Sequence, residues 1–424
     1  MKRCVFAFTV SLVISLVTGC KTGINYVKAE RSDVFNKAYE EYVGKLHNIE
    51  IDNPTLSFDG RFMAFDFRQL LISKEGPGTH TNLVGIYDFQ TRKYQIVAPY
   101  GEKIGFHSPS FNKTANKMLM VSHCFDISRC DEKIRGNQIV LYDLKTRKLT
   151  WLTSYFTQGK LRVKSSRNHI TPIDYMGKTV VRGYPVFGRD EKQIYSLVGL
   201  GRVFSLYFHQ RHQGDSSLVL LSSDDVEGAQ WREELLINHP DQLGHFINAG
   251  RISFANNNRL IISADSLTGN GSNNLEKETI DAFFYNAEAD RLSIAFDENN
   301  SPINQNNLPL NLKTWTTQHS ISRDGSRIAF KALGGNSVFL REKDNQKKIL
   351  DGQGLKANTI GEIHMSGDGK WLVALPSETN SKETDLRYFW RVNTESRLVE
   401  RLPLREPILK LINETFPSKI NKQH

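Results

Sequence analysis

ISRDGSRIAF, at residues 321–330, is the stretch that decides the fold. It is typical of a strand, a tight turn and a second strand, because β-branched and aromatic residues flank an Asp-Gly step that supplies the positive φ of a hairpin turn. Two further full copies follow the same frame, MSGDGKWLVA at residues 365–374 and LSFDGRFMAF at residues 56–65. A hairpin that recurs along one chain predicts an architecture of repeated sheets.

Degenerate copies of this hairpin keep the frame elsewhere in the chain. They occur at Phe111-Asn112-Lys113, Phe187-Gly188-Arg189-Asp190 and Phe254-Ala255-Asn256-Asn257. Most copies are followed by a second hairpin, clearest at residues 85–94, 139–150, 284–292 and 390–398. Two hairpins make a four-stranded antiparallel sheet, which is the blade of a β-propeller. The chain is therefore predicted to be all-β.

The Ser-x-Asp-Gly-x-x-Ile-Ala-Phe pattern resembles the WD40-like repeat of the TolB propeller family. Its six matches cover residues 51–403 and imply a six-bladed propeller. A bare blade needs about 40–45 residues, so the wider spacing predicts insertions near 155–182, 200–245 and 265–280. A seventh blade hidden in 200–245 is the alternative. The stretch before the first blade is too short for the α/β domain that precedes the family's propeller, so the family's binding to the peptidoglycan-associated lipoprotein does not carry over.

The N-terminus resembles a bacterial lipoprotein signal. A basic pair precedes the uncharged, mostly apolar stretch Cys4–Val17, which as a helix would span about 21 Å and is short of the ~30 Å membrane core. LVTGC at residues 16–20 is similar to the lipobox, which implies removal of residues 1–19 and lipidation of Cys20. An ordinary secretory signal is the alternative.

Residues 20–50 are predicted to be a tether followed by a short helix from about residue 32 to residue 46, where apolar residues recur at three- and four-residue steps. Lys21, instead of Asp, follows the cysteine, and under the sorting rules of the lipoproteins that this sequence resembles this implies anchoring in the outer membrane. The anchored protein is expected to face the periplasm, with exposure on the cell surface as the alternative. At the other end, the tail 404–424 begins like a short amphipathic helix.

Cys124 and Cys130 remain once Cys4 is removed and Cys20 is lipidated. Export to an oxidising compartment and their close spacing predict a disulfide between them. Two free thiols are the alternative. A metal site is disfavoured because no second Cys/His pair lies nearby at ligand spacing.

The composition is that of a folded globular body. The chain has 424 residues, 39% hydrophobic and 24% charged, with a formal net charge of +9. The cations are scattered through turns, so the charge suits an anionic envelope surface and does not predict a nucleic-acid partner.

No catalytic motif is found. The chain has neither a Gly-x-Ser-x-Gly elbow nor a His-Glu-x-x-His, Walker A or dinucleotide-binding pattern. No catalytic residue, cofactor or metal is therefore predicted; His209 and His212 belong to a polar insertion. His107, His319 and His364 precede the hairpin turns, on strands expected to line the central channel, and are candidate ligand-binding residues. They are offset from one another in the repeat frame, so they are not all expected to face the same way.

Two functions follow from these features. The first is a lipid-anchored envelope protein whose propeller is a non-catalytic scaffold, binding envelope proteins through its face loops. The alternative is a propeller enzyme or sensor acting on an anionic glycan or small ligand at the central channel.

Overall fold

A computed structural model describes most of the region between residues 49 and 415. The described ranges are 49–69, 81–97, 105–124, 136–153, 160–164, 170–174, 180–200, 216–223, 231–235, 246–255, 259–267, 278–286, 291–294, 316–332, 337–342, 345–351, 360–376 and 387–415. The signal at residues 1–19, Cys20, the helix expected at 32–46, Cys130, His209 and His212 lie outside them.

The first two sheets are antiparallel and each consists of four consecutive strands. The first sheet contains β1 (Ile49–Leu56), β2 (Phe62–Gln69), β3 (Thr81–Asp88) and β4 (Lys93–Ile96). The second contains β5 (Gly105–Phe111), β6 (Lys117–Cys124), β7 (Gly136–Asp143) and β8 (Leu149–Trp151).

The next ten strands form two successive units that are joined by one backbone pair, Ser216 with Phe246. The third unit contains β11 (Val180–Phe187), β12 (Gln193–Leu200), β13 (Ser216–Ser222) and β14 (Arg232–Leu235). The fourth contains β15 (Phe246–Ala255), β16 (Arg259–Leu267), β17 (Glu278–Asn286) and β18 (Arg291–Ile294). An additional hairpin, β9 (Lys160–Lys164) and β10 (Ile170–Asp174), extends the third unit because β9 pairs in parallel with β14.

The last two sheets are again antiparallel and four-stranded. The fifth contains β19 (Thr316–Ile321), β20 (Arg327–Ala332), β21 (Ser337–Glu342) and β22 (Asn345–Asp351). The sixth contains β23 (Ile360–Met365), β24 (Trp371–Pro376), β25 (Tyr388–Asn393) and β26 (Val399–Pro403), and the helix α1 (Arg405–Thr415) follows it. Within the described ranges, no helix is both long and apolar enough to cross a membrane.

The Ser-x-Asp-Gly hairpins close by one repeated hydrogen-bond pattern. In the first, the Ser57 hydroxyl donates to Asp59 Oδ1 over 2.7 Å and accepts from the Phe62 amide, and Gly60 has φ of 69°. Ser322 and Ser366 make the same bonds in the fifth and sixth sheets. The predicted hairpins and the all-β class are confirmed.

The first strands of successive units contact one another in chain order. β1 contacts β5, β5 contacts β11, β11 contacts β15, β15 contacts β19, β19 contacts β23, and β23 returns to contact β1. Packing radially around a common axis in this way is the arrangement of a β-propeller. It lets each sheet cover the apolar faces of its neighbours, which no sheet could bury alone.

The first and last sheets each consist of four consecutive strands, and none of the described strands is shared between them. The described residues of the two sheets therefore meet through side chains and loops. Their shared core includes Phe65 and Tyr87 from the first sheet and Phe389 from the sixth. Ile408 of α1, which is 1% exposed, packs in the same core, and α1 also contacts β4. The C-terminal helix therefore bridges the two ends of the ring.

Two expectations about insertions need correction. The stretch 200–245 supplies β13 and β14, which are regular strands of the third unit, and its described residues form no separate sheet. Residues 265–267 and 278–280 pair with one another as the ends of β16 and β17, so the connection there is limited to residues 268–277.

Candidate functional site at the axis of the ring

The first strand of each unit is irregular at its centre. All six first strands break register with their second strands, as between Asp52 and Thr55 in β1. In three units the break contains a non-glycine residue at positive φ followed by a proline: Asn53 at 53°, Ser108 at 52° and Tyr184 at 50°. Both the positive φ and the following proline restrict these residues, and such strain is concentrated at functional sites.

These three breaks surround a small cavity on the axis. Its wall comes from five units and includes Thr55, Ser110, Ile252 and His364 besides the three strained residues and their prolines. The cavity volume is about 30 Å³, which is room for one or two water molecules.

His364 is the predicted candidate that lines this cavity. Its Nδ1 accepts a hydrogen bond from the Leu56 amide over 3.0 Å, and its Nε2 lies 3.5 Å from the Thr55 hydroxyl. Since Nδ1 is an acceptor, the neutral ring carries its proton on Nε2. His364 therefore holds the sixth sheet to the first.

The other two candidate histidines have different surroundings. His107 is half-buried in β5, and its Nδ1 lies 2.9 Å from the Ser108 hydroxyl, beside the cavity wall. His319 is 1% exposed and stacks on Phe330 at a ring-centroid distance of 6.4 Å. Burial lowers the pKa of His319 to about 3. His319 is thus a neutral core histidine, and the one-residue offset from His364 in the repeat is the reason.

Hydrogen bonds next to the cavity also join the sixth sheet to the first and to the fifth. Glu362 accepts a hydrogen bond from the Asn53 amide over 2.5 Å, and the Asn53 amide side chain donates to Asp66 over 3.1 Å. Lys331 donates to the Ile360 carbonyl, and burial lowers the pKa of Lys331. The strained backbone at Asn53 is therefore fixed by side chains from both sheets.

Arg323 lies at the end of the axis where the Ser-x-Asp-Gly turns meet, and the sequence patterns did not single it out. Its guanidinium crosses to the third unit, where it donates to the carbonyls of Phe187 and Gly188. It also lies 4.5 Å from the ring centroid of Phe254 in the fourth unit. Burial lowers the pKa of Arg323 to about 10. The available signal was the variable position of the Ser-x-Asp-Gly motif, which is an arginine in the fifth unit only.

The described residues of the site form no metal-binding cluster. In the part of the chain that the structure covers, no three His, Cys, Asp or Glu side chains are grouped closely enough to hold a metal ion. Cys124 is the last residue of β6, while Cys130 lies outside the described ranges, so the disulfide stays a prediction.

No protein family matches the sequence, and no curated protein does. Solved structures with a similar backbone include TolB from Acinetobacter baumannii, with 14% identity, a TM-score of 0.46, and coverage of 88% of this chain and 68% of that one. They also include oligogalacturonate lyase from Vibrio parahaemolyticus, with 9% identity, a TM-score of 0.45 and coverage of 84% and 80%. The β-propeller domain of the Trilobed protease from Pyrococcus furiosus has 12% identity, a TM-score of 0.45 and coverage of 85% and 97%. This level of similarity assigns no activity or partner.

Proposed function

We propose that this protein is a lipid-anchored envelope protein whose closed six-bladed propeller is a non-catalytic scaffold for other envelope proteins. The observation that carries the proposal is the small size of the cavity that the described residues form on the axis. The cavity beside His364 measures about 30 Å³, and Arg323 reaches from the fifth unit to the carbonyls of the third. Recognition is then left to the turns and loops on the two faces, where binding residues are usually found.

The ring geometry supports a rigid platform. The six first strands contact one another in a cycle, and α1 packs across the junction of the first and sixth sheets. The Asp368 amide donates to the Phe58 carbonyl over 2.8 Å at the same junction. A scaffold benefits from such closure, because an interface on several blades needs their relative positions fixed.

The anchoring part of the proposal rests on the sequence at Cys20. Replacement of Cys20 by Ser should release the protein from the membrane fraction or block its processing. Retention in the membrane together with normal cleavage would exclude lipidation at this residue.

The scaffold part is tested by affinity purification of the native protein from solubilised membranes. A stoichiometric protein partner that is absent from an untagged control is the expected result. Turnover of a glycan or small molecule by the purified protein, abolished by His364→Gln, would overturn the scaffold proposal.

A second candidate, a sensor or enzyme for a small ligand at the channel, is favoured by one observation. Asn53, Ser108 and Tyr184 hold positive φ around the cavity, and backbone strain of this kind persists where a site requires it. Ligand-dependent protection of β1, β5 and β11 amides from hydrogen exchange would select this candidate over the scaffold.

A further inference from the structure

Three equivalent turns on the face that carries the Ser-x-Asp-Gly hairpins share an unusual residue. They connect the third and fourth strands of the first, second and sixth sheets, and the left-handed position in each is an arginine: Arg92 at 56°, Arg147 at 59° and Arg397 at 61°. Glycine and asparagine adopt this conformation most readily, whereas an arginine there is strained. The same unfavourable choice in three turns points to a use for the side chain.

The three turns are otherwise alike and well ordered by hydrogen bonds. The amide of each arginine donates to the carbonyl four residues earlier, at Asp88, Asp143 and Asn393, over 2.7, 2.8 and 2.9 Å. The side chains of these three residues accept from the following turn amides. The backbone therefore presents each arginine in the same way.

The three arginines form an arc, because the sixth sheet contacts the first and the first contacts the second. All three are exposed, as are Lys93 and Lys148, which follow two of them. We call Arg92, Arg147, Arg397, Lys93 and Lys148 the arginine arc. None of the five makes an ion pair with another described residue.

Each of the three turns also contains an acidic residue. Asp143 accepts hydrogen bonds from the Lys145 and Thr146 amides, and the other two acidic residues form ion pairs outside the arc. Asp88 pairs with Arg61 at 3.1 Å, and this hydrogen bond helps to lower the pKa of Asp88 despite the opposing effect of burial. Glu395 pairs with Arg327 at 3.3 Å. The arc therefore presents to solvent, on three adjacent blades, cations that form no ion pair with a described residue.

We propose that the arginine arc is a docking surface for an acidic protein segment, whose carboxylates the guanidinium groups bind in pairs of hydrogen bonds. This inference rests on the proposed scaffold function and names the chemistry of its partner. A protein is favoured over a membrane surface because the turns are rigid and Leu398 is the exposed large apolar side chain on them. The strength of binding to a membrane surface scales with the apolar area buried as well as with the charge, and these turns offer little apolar area.

The test uses the full-length protein and a fluorescent oligo-glutamate peptide, with binding followed by fluorescence anisotropy at several salt concentrations. The triple variant Arg92→Asn, Arg147→Asn, Arg397→Asn should bind about tenfold more weakly, since exposed charge pairs each contribute modestly. Its melting temperature should rise, because Asn relieves the left-handed strain. The matched control removes three exposed cations from the same face outside the arc: Arg189→Asn, Lys192→Asn and Lys370→Asn. It should keep the affinity of the wild type.

Several results would overturn the inference. Unchanged binding by the arc variant, equal loss in the control, or a lowered melting temperature in the arc variant would each do so. Arc-dependent binding to phosphatidylglycerol vesicles without peptide binding would assign the arc to lipid headgroups instead. Affinity purification separates this inference from the scaffold proposal: a partner retained by the arc variant refutes only the arc, while capture of no partner refutes the scaffold.

Discussion

Acid should destabilise this protein through His319, before its carboxylates begin to titrate. The ring is 1% exposed and packs on Phe330 in the fifth sheet. Burial lowers its pKa from the ordinary 6.5 to about 3. In the unfolded chain the same histidine binds a proton as the pH falls below about 6.5, while the folded protein keeps it neutral until much lower pH.

The sign of the effect follows from proton linkage. Between the two pKa values the unfolded state binds more protons, so the stability contributed by neutral His319 is present above pH 6.5 and is lost as the pH falls toward 3. The loss approaches about 1.4 kcal/mol per pH unit, which gives about 2 kcal/mol between about pH 7.5 and about pH 5.

Urea unfolding followed by circular dichroism at constant ionic strength measures this loss. The variant His319→Leu should lose about 2 kcal/mol less free energy of unfolding than the wild type over that pH interval. Phe330→Leu is the matched control: it removes the stacking partner but no titrating group, so it should lower stability equally at each pH. Parallel pH profiles for the wild type and His319→Leu would refute the assignment of a buried neutral histidine.

Three further variants test the packing of the ring. Ile408→Ala should lower the free energy of unfolding in urea by about 3 kcal/mol, because it leaves a cavity in the core between the first and last sheets. The control Lys410→Ala changes an exposed residue of α1 and should leave the free energy of unfolding unchanged. An equal effect of both variants would show that α1 does not join the two sheets. Ala115→Gly should raise the free energy of unfolding by about 0.5 kcal/mol, because Ala115 has a φ of 53° at the position where the full repeats have glycine. A decrease in the free energy of unfolding would show that the turn is unstrained. Arg323→Met should lower the free energy of unfolding by about 2 kcal/mol, because it removes the donor to two carbonyls. The control Arg189→Met should leave the free energy of unfolding unchanged. Equal melting temperatures of the two variants would show that the hydrogen bonds of Arg323 do not stabilise the fold.

The repeat could be predicted from sequence because its determinants are local. Ser322, Asp324 and Gly325 lie within one turn, where the hydroxyl, the carboxylate and the positive φ of 77° act together. The same local chemistry recurs at Ser57 and Ser366, so a pattern of a few residues defines every full hairpin.

The roles of the histidines could not be predicted, because they depend on contacts between distant parts of the chain. His364 bonds to the Leu56 amide, 308 residues away, and whether a neighbouring position faces the cavity or the core depends on the register break in each first strand. A one-residue offset therefore separates the cavity residue His364 from the buried His319.

The sequence by itself determined the elements: antiparallel hairpins, their turns, and the pairing of hairpins into sheets, because neighbouring residues supply all the interactions that these require. The tertiary structure alone decided how the first and last sheets meet, which side chains line the cavity, and which face carries the arginine arc. These features join residues from different units, such as Arg323 with Gly188 and Ile408 with the core of the first sheet. The periodicity of the sequence does not predict these contacts between distant residues, because they form only when the apolar faces of successive sheets are buried against one another.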